Sequence, residues 1–137
     1  MSTKNYRVLF ERYSESHFIK DFQKKYKKNW LITRSALVKE FARIDQLVLS
    51  GRTNPPIHKT IDNRQMIIKH EFAVAGLKQS KKSSGCRVIA LVDNEKYTVS
   101  VLLVYHKDHL GKKASETAEW ERILRVEYKS ILSDFSF

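Results

Sequence analysis

An arginine and two histidines flank two strongly β-prone segments in the second half of the chain. Arg87 begins the run RVIALV, and the motif HKDH, from His106 to His109, follows the run YTVSVLLVY. The planar guanidinium of arginine donates two parallel hydrogen bonds to a phosphate and remains charged. Histidine accepts or donates a proton near neutral pH, and RNA cleavage by an internal 2′-hydroxyl requires two such transfers. Arg87 and His106 are therefore candidate catalytic residues of a metal-independent ribonuclease.

A lysine-rich loop lies directly before Arg87. This basic loop, Lys78–Gly85 (KQSKKSSG), contains Lys78, Lys81 and Lys82. The 137-residue chain carries 26 Lys and Arg residues against 15 Asp and Glu residues, a net charge of +11. Such a charge on a small domain implies a polyanionic partner, which is nucleic acid, the ribosome or an acidic protein. We expect the three loop lysines, together with His109, to bind RNA.

Each of these residues also has a structural explanation. Arg87 would form an ion pair with Glu71 or Asp93, the two histidines would be ordinary exposed residues at a strand end, and the lysines would belong to a solvated loop. Taken singly, each structural explanation describes the commoner case. The net charge and the clustering of the residues favour RNA binding.

The two β-prone runs surround the tetrapeptide DNEK, which predicts a β-hairpin. A two-residue turn at Asn94-Glu95 places Arg87 opposite Leu102. Arg87 and His106 then share one face of the sheet, because side chains alternate between faces along a strand. Their backbones would lie roughly 14 Å apart along the strand. At that separation the two side chains would bracket a phosphodiester and its neighbouring nucleotide.

Other chemistries find little support in the sequence. Cys86 is the single cysteine, which excludes an internal disulfide and a cysteine-based metal site, and we expect it on the opposite face from Arg87. His106 and His109 have metal-ligand spacing, but only the distant His58 and His70 are left as further histidine ligands. There is no phosphate-binding glycine loop, no secretory signal and no run of about 20 apolar residues. We expect no metal, no cofactor, no membrane association and a cytoplasmic location.

The remaining sequence predicts the elements that position these residues in a single domain, 1–137. An initial strand at Tyr6–Glu11 precedes two amphipathic helices, the first capped by Ser14 or Ser16 and the second by Thr33. Gly51 is expected to end the second helix. The apolar stripes of the two helices are expected to be Phe18, Phe22 and Tyr26, and Leu37, Phe41, Ile44 and Val48.

The second half of the chain predicts three strands and a final helix. Residues 52–64 contain two prolines and no hydrophobic period, so they are expected to form a loop. A strand at Met66–Ala75 and the hairpin follow, and Ser115 caps a helix with an apolar stripe formed by Trp120, Leu124, Tyr128, Ile131 and Phe135. The order β-α-α-β-β-β-α predicts an α+β fold, a mostly antiparallel sheet that carries an N-terminal helical hairpin and a C-terminal helix.

The segment SSGCRVIALVDNEKYTVSVLLVYHKDHL resembles the RelE/ParE toxin superfamily. It shows a Ser-Ser-Gly-x-Arg start, an apolar strand, an acidic turn, a second apolar strand and a short basic, histidine-bearing motif. The preceding lysine-rich loop resembles the HigB-like branch, and the order of elements matches over nearly the whole chain. The resemblance implies a cytoplasmic toxin of a type II toxin–antitoxin pair, held by an acidic antitoxin. Most such RelE-like toxins cut mRNA in the ribosomal A site without a metal, whereas the ParE-like branch poisons DNA gyrase.

The resemblance also implies roles for individual residues. Arg87 matches the arginine near the scissile phosphate, His106 and Lys107 match the catalytic position after the last strand, and the lysines of the basic loop match the loop that grips RNA. Many such nucleases carry basic residues where this chain has Glu71 and Ala73. His70 is a candidate replacement. The alternatives to an mRNA endonuclease are therefore a gyrase inhibitor and a basic RNA- or ribosome-binding module without catalysis.

Overall fold

The computed structural model describes residues 5–54, 56–60, 62–110 and 115–135, and it confirms the α+β class. The sheet is mostly antiparallel, with the strand order β1-β5-β4-β3-β2, and β1 pairs with β5 in the parallel direction. No helix among these residues is long and apolar enough to cross a membrane. In chain order the elements are β1 (Arg7–Phe10), α1 (Arg12–Ser14), a π-helical segment (Glu15–Ile19), α2 (Lys20–Tyr26), α3 (Lys28–Phe41), α4 (Ile44–Leu49), β2 (His58–Lys59), β3 (Gln65–Phe72), β4 (Cys86–Asp93), β5 (Thr98–His106), a 3-10 turn (Lys107–His109) and α5 (Glu116–Glu127).

Both faces of the sheet are covered, which makes the long central strand β4 buried along its whole length. The N-terminal helices pack on one face, where Trp30 and Phe41 meet the even-numbered side chains of β4 such as Val88. Helix α5 packs on the other face, where Trp120 meets odd-numbered side chains such as Ile89. The alternation of side chains along a strand thus divides the core into two layers. We call the face that is covered by the N-terminal helical hairpin the hairpin face, and the face that is covered by α5 the α5 face.

The predicted helix starts are wrong, although both N-terminal helices exist. The first begins at Arg12, so Ser14 lies buried within helical structure and neither Ser14 nor Ser16 is the cap. Thr33 lies inside α3, where its hydroxyl donates to the carbonyl of Asn29 at 2.7 Å and accepts from the N–H of Ala75 at 2.8 Å. The boundary between α2 and α3 is instead Lys27, which has φ +49°. A buried hydroxyl thus has a tertiary partner that no local pattern reveals.

The predicted apolar stripes are confirmed in part. The π-helical turn changes the helical period, so Phe18 packs toward the α5-face core while Phe22 belongs to the hairpin-face core. The predicted second helix is divided into α3, which ends at Phe41, and α4, and Gly51 follows α4 at φ +71°, as expected of a residue that ends a helix. In α5 the predicted cap is confirmed, because the Ser115 hydroxyl accepts from the N–H of Ala118 at 3.0 Å. The helix ends at Glu127, before the expected stripe is complete.

The β-hairpin formed by β4 and β5 is present, but its predicted register is wrong. The turn covers residues 94–97, with Tyr97 at φ +54°, so Asp93 pairs with Thr98. A β-bulge then shifts the register again between Ile89 and Ala90. Because of these two shifts Arg87 lies opposite Tyr105 rather than opposite Leu102.

Candidate functional site

The end of the sheet where β4 begins and β3 and β5 finish carries the candidate residues. Phe72, Cys86 and His106 lie side by side there on three neighbouring strands. Since His106 pairs with Cys86, it lies on the hairpin face, whereas Arg87 lies on the α5 face with Tyr105. The expectation that Arg87 and His106 share a face is therefore wrong. Both residues nevertheless remain at this one edge, which we call the site end of the sheet.

Arg87 is a buried cation, with only 7% of its surface exposed. Its Nη1 donates to the carbonyl of Cys86 at 3.0 Å and its Nη2 to the carbonyl of Lys82 at 3.4 Å. The Nε group is buried and has no hydrogen-bond partner in the described part of the chain. Glu71 lies directly opposite Arg87 in the sheet, but no described carboxylate forms an ion pair with Arg87. The predicted alternative, an Arg87 ion pair with Glu71 or Asp93, is thus not found.

Three further polar residues share the α5 face with Arg87. The Tyr105 hydroxyl donates to the Glu116 carboxylate at 2.5 Å, and Lys69 Nζ lies 3.0 Å from the same carboxylate oxygen. Burial raises the pKa of Glu116, but the hydrogen bonds from Tyr105 and Lys69 and the nearby charge of Arg87 outweigh it, so the pKa is lowered overall. Burial and the Glu116 carboxylate raise the pKa of Tyr105. Glu116 is therefore ionised near neutral pH, and Tyr105 keeps its proton.

His106 is held by the turn that follows β5. Its Nδ1 accepts a hydrogen bond from the backbone N–H of Asp108 at 3.1 Å and lies 3.4 Å from the Asp108 carboxylate. The other side of the ring packs on Gly85, where an added Cβ would lie 2.7 Å from His106 Nε2. Gly85 has φ +79°, so the absence of a side chain serves both its backbone conformation and this close approach. The centroid of the His109 ring lies 5.9 Å from that of His106.

The basic loop lies beside Arg87 with its three lysines exposed. Its end is anchored by Ser84, whose buried hydroxyl hydrogen-bonds to the carbonyl of Phe72 and, at 2.9 Å, to that of Lys81. The loop backbone also contacts the Arg87 guanidinium through the carbonyl of Lys82. The structure therefore places the backbone of the basic loop against Arg87, whereas the Lys81 ammonium group lies 3.8 Å from the Glu40 carboxylate.

His70 occupies a structural position on the hairpin face. It is 1% exposed, and its ring nitrogens lie 3.0 Å from Thr53 Oγ1 and 3.0 Å from Glu40 Oε2. The hydrogen bond from His70, with smaller help from Lys81, lowers the pKa of Glu40 against the opposing effect of burial. The hydrogen bonds of the two His70 ring nitrogens thus join β3 to α3 and to the loop after α4, which leaves neither nitrogen free for a substrate.

Sequence reasoning missed Lys69, Tyr105 and Glu116. The alternation of side chains along a strand places Lys69 on the same face as Glu71, so the sequence alone indicated the position of Lys69. Tyr105 joins Arg87 only after the longer turn and the bulge have shifted the register. Within the described residues, no group of three or more His, Cys, Asp or Glu side chains is arranged to hold a metal ion.

No protein-family model, curated protein or solved structure matches this chain.

Proposed function

We propose that this protein is a RelE-like toxin of a type II toxin–antitoxin pair, a ribosome-dependent and metal-independent mRNA endonuclease that inhibits translation. The observation that carries the proposal is Arg87, a buried cation without a described carboxylate partner, next to the exposed lysines of the basic loop. An acidic antitoxin is the partner that would cover this basic surface.

A buried guanidinium gains more free energy from a bound anion than an exposed guanidinium does. Removal of a charge from water costs several kcal/mol, roughly, unless a counter-charge or hydrogen bonds compensate. Two backbone carbonyls satisfy part of the Arg87 guanidinium, and its charge is not neutralised by a described ion pair. An RNA phosphodiester supplies the missing negative charge and matches the planar donors of arginine. The loop lysines add binding energy through counterion release.

Cleavage requires proton transfer as well as phosphate binding. The 2′-oxygen loses its proton and attacks phosphorus, and the 5′-oxygen leaves with a proton. In the predicted catalytic set His106 is the residue suited to exchange protons, and Lys107 follows it with an exposed ammonium group. Arg87 and His106 lie on opposite faces but at the same site end. An RNA strand that bends around this end contacts both.

The same separation favours a second candidate function, an RNA- or ribosome-binding module without catalysis. Phosphate binding by Arg87 and the loop lysines does not require a proton-transfer residue on the same face. Glu71 lies opposite Arg87, at about the position where many nucleases of the superfamily that this chain resembles carry basic residues, and this departure is also consistent with the second candidate.

Primer-extension mapping of a defined mRNA, incubated with ribosomes and the purified protein, separates these functions. We expect wild type to cut within A-site codons, Arg87→Ala to abolish the cuts, and His106→Ala to retain ribosome binding but lose cleavage. Cleavage by His106→Ala at the wild-type rate would refute the role of His106. Ribosome binding without any cuts by wild type would establish the non-catalytic module. If wild type shows neither cleavage nor ribosome binding, inhibition of DNA gyrase is the next activity to test.

Charge reversal of Lys78, Lys81 and Lys82 tests the basic loop. Each lost phosphate contact should lower the slope of log affinity against log salt concentration by about 0.7 for single-stranded RNA. We therefore expect weaker binding for all RNA sequences and a slope shallower by up to roughly two. A slope unchanged by the triple substitution would contradict RNA contact by this loop.

A further inference from the structure

A cavity of about 230 Å³ opens beside His106 at the site end of the sheet. Its apolar walls are Phe18, Phe22 and Tyr26, which come from the π-helical segment and α2. Pockets for drug-sized ligands have volumes of roughly 300–1,000 Å³. This cavity is therefore suited to one planar ring system rather than to a larger ligand.

The polar lining of the cavity includes a carboxylate that is free to accept hydrogen bonds. Asp21 and Lys25 lie one turn apart on α2 and both line the cavity. Neither forms an ion pair or a hydrogen bond within the described residues, although Lys25 Nζ lies 5.2 Å from the centre of the Tyr26 ring. Asp108, by contrast, is already close to His106. Asp21 thus presents an exposed carboxylate at the mouth of an aromatic cavity.

We propose that this cavity binds one unstacked base of the RNA substrate, and that Asp21 selects guanine. Aromatic side chains bind single-stranded bases by stacking, and recognition then proceeds through the Watson–Crick edge. Guanine is the one RNA base that presents two adjacent donors on that edge, N1–H and N2–H, and a carboxylate accepts both. This inference rests on the proposed action on RNA and adds its base specificity.

The other three bases place an acceptor against the carboxylate. Adenine and cytosine offer one amino donor beside an acceptor nitrogen, and uracil offers one N–H between two carbonyl oxygens. A polar group left unpaired in a site built for hydrogen bonding is strongly disfavoured. Because His106 lines the cavity and lies at the same site end as Arg87 but on the opposite face, a phosphate held by Arg87 and a base held in the cavity belong to one bent strand.

The test measures fluorescence anisotropy of labelled pentanucleotides UUGUU, UUAUU and UUUUU with the full chain. For wild type we expect about tenfold tighter binding of UUGUU, within the range for one bidentate base contact. Asp21→Asn removes a negative charge, so electrostatics alone would strengthen binding of all three. Our proposal instead requires this variant to lose the preference for guanine. Glu95→Gln removes a negative charge at the opposite end of the sheet, and it should keep the preference.

A second variant, Tyr26→Leu, removes one aromatic wall. It should weaken binding of all three oligonucleotides by roughly tenfold, because stacking does not distinguish bases strongly. RNA binding by wild type without a preference for guanine, or a preference that survives in Asp21→Asn, would overturn the guanine pocket and leave phosphate binding at Arg87 intact. Failure of wild type to bind any of the three would overturn this inference, and A-site cleavage by the same protein preparation in the primer-extension assay would show that the proposed function stands without it.

Discussion

Replacement of Arg87 by methionine should abolish RNA binding at the site end while changing the free energy of unfolding by no more than about 1 kcal/mol. The wild-type guanidinium makes two hydrogen bonds to backbone carbonyls, at 3.0 and 3.4 Å, and its Nε has no described partner. Hydrogen bonds that involve a charged group contribute about 1.5–3 kcal/mol each. Burial of the charge costs several kcal/mol, roughly, and the nearby Glu116 carboxylate, which forms no ion-pair contact with Arg87, compensates only part of this cost, so the effects offset each other. Methionine fills the vacated volume with a flexible apolar chain.

Urea denaturation followed by circular dichroism measures the free energy of unfolding, and anisotropy of a labelled single-stranded RNA measures RNA binding. If Arg87 were one half of a buried ion pair, its removal would lower the free energy of unfolding by about 3–5 kcal/mol. A loss of that size would refute the assignment of Arg87 as a phosphate-binding residue with no ion-pair partner among the described residues. Arg64→Met is the matched control, since Arg64 is more exposed and forms surface ion pairs with Glu95 and Asp134. It should leave RNA binding unchanged.

Two further substitutions test the neighbours of Arg87 and His106. Tyr105→Phe removes the hydrogen bond to Glu116 and should lower the free energy of unfolding at pH 7 by about 1.5–3 kcal/mol. Because the folded-state pKa of Glu116 is lowered, its stabilising effect is present above the usual pKa of 4.5 and is lost as pH falls through the folded-state value, so urea denaturation should show a smaller difference at pH 3. A difference of equal size at both pH values would contradict this. Gly85→Ala places a Cβ 2.7 Å from His106 Nε2 at φ +79°, so a thermal melt should show a destabilisation of roughly 1–3 kcal/mol, and unchanged His106 ring NMR shifts would contradict the close packing.

The elements were predictable where one local signal decided them. Ser115 begins α5 because its hydroxyl caps a backbone N–H three residues later, and Gly51 ends α4 because it adopts a positive φ. Thr33 carries the same kind of capping signal, yet its hydroxyl is used by Ala75, 42 residues away. Side-chain chemistry alone does not distinguish a local partner from a distant one.

The geometry of the candidate site was less predictable than its location. The composition around Arg87 and the motif from His106 to His109 correctly indicated one end of a hairpin. The longer turn shifts the register by two residues and preserves the faces, so their relative faces depended on the one-residue bulge between Ile89 and Ala90, which neither residue type demands. Since the side-chain period of a strand is two, each one-residue shift exchanges the two faces of the sheet.

The parallel pairing of β1 with β5 has a consequence for how the molecule is made. Arg7 pairs with Thr98, so the first strand cannot pair until a residue 91 positions later in the chain has been synthesised. At translation rates of about 5–20 residues per second, that wait lasts on the order of 5–20 seconds. The site end assembles later still, because it needs the last residue of β5, His106, beside the first of β4. A nascent chain therefore cannot form the site end until His106 has emerged from the ribosome that synthesises it.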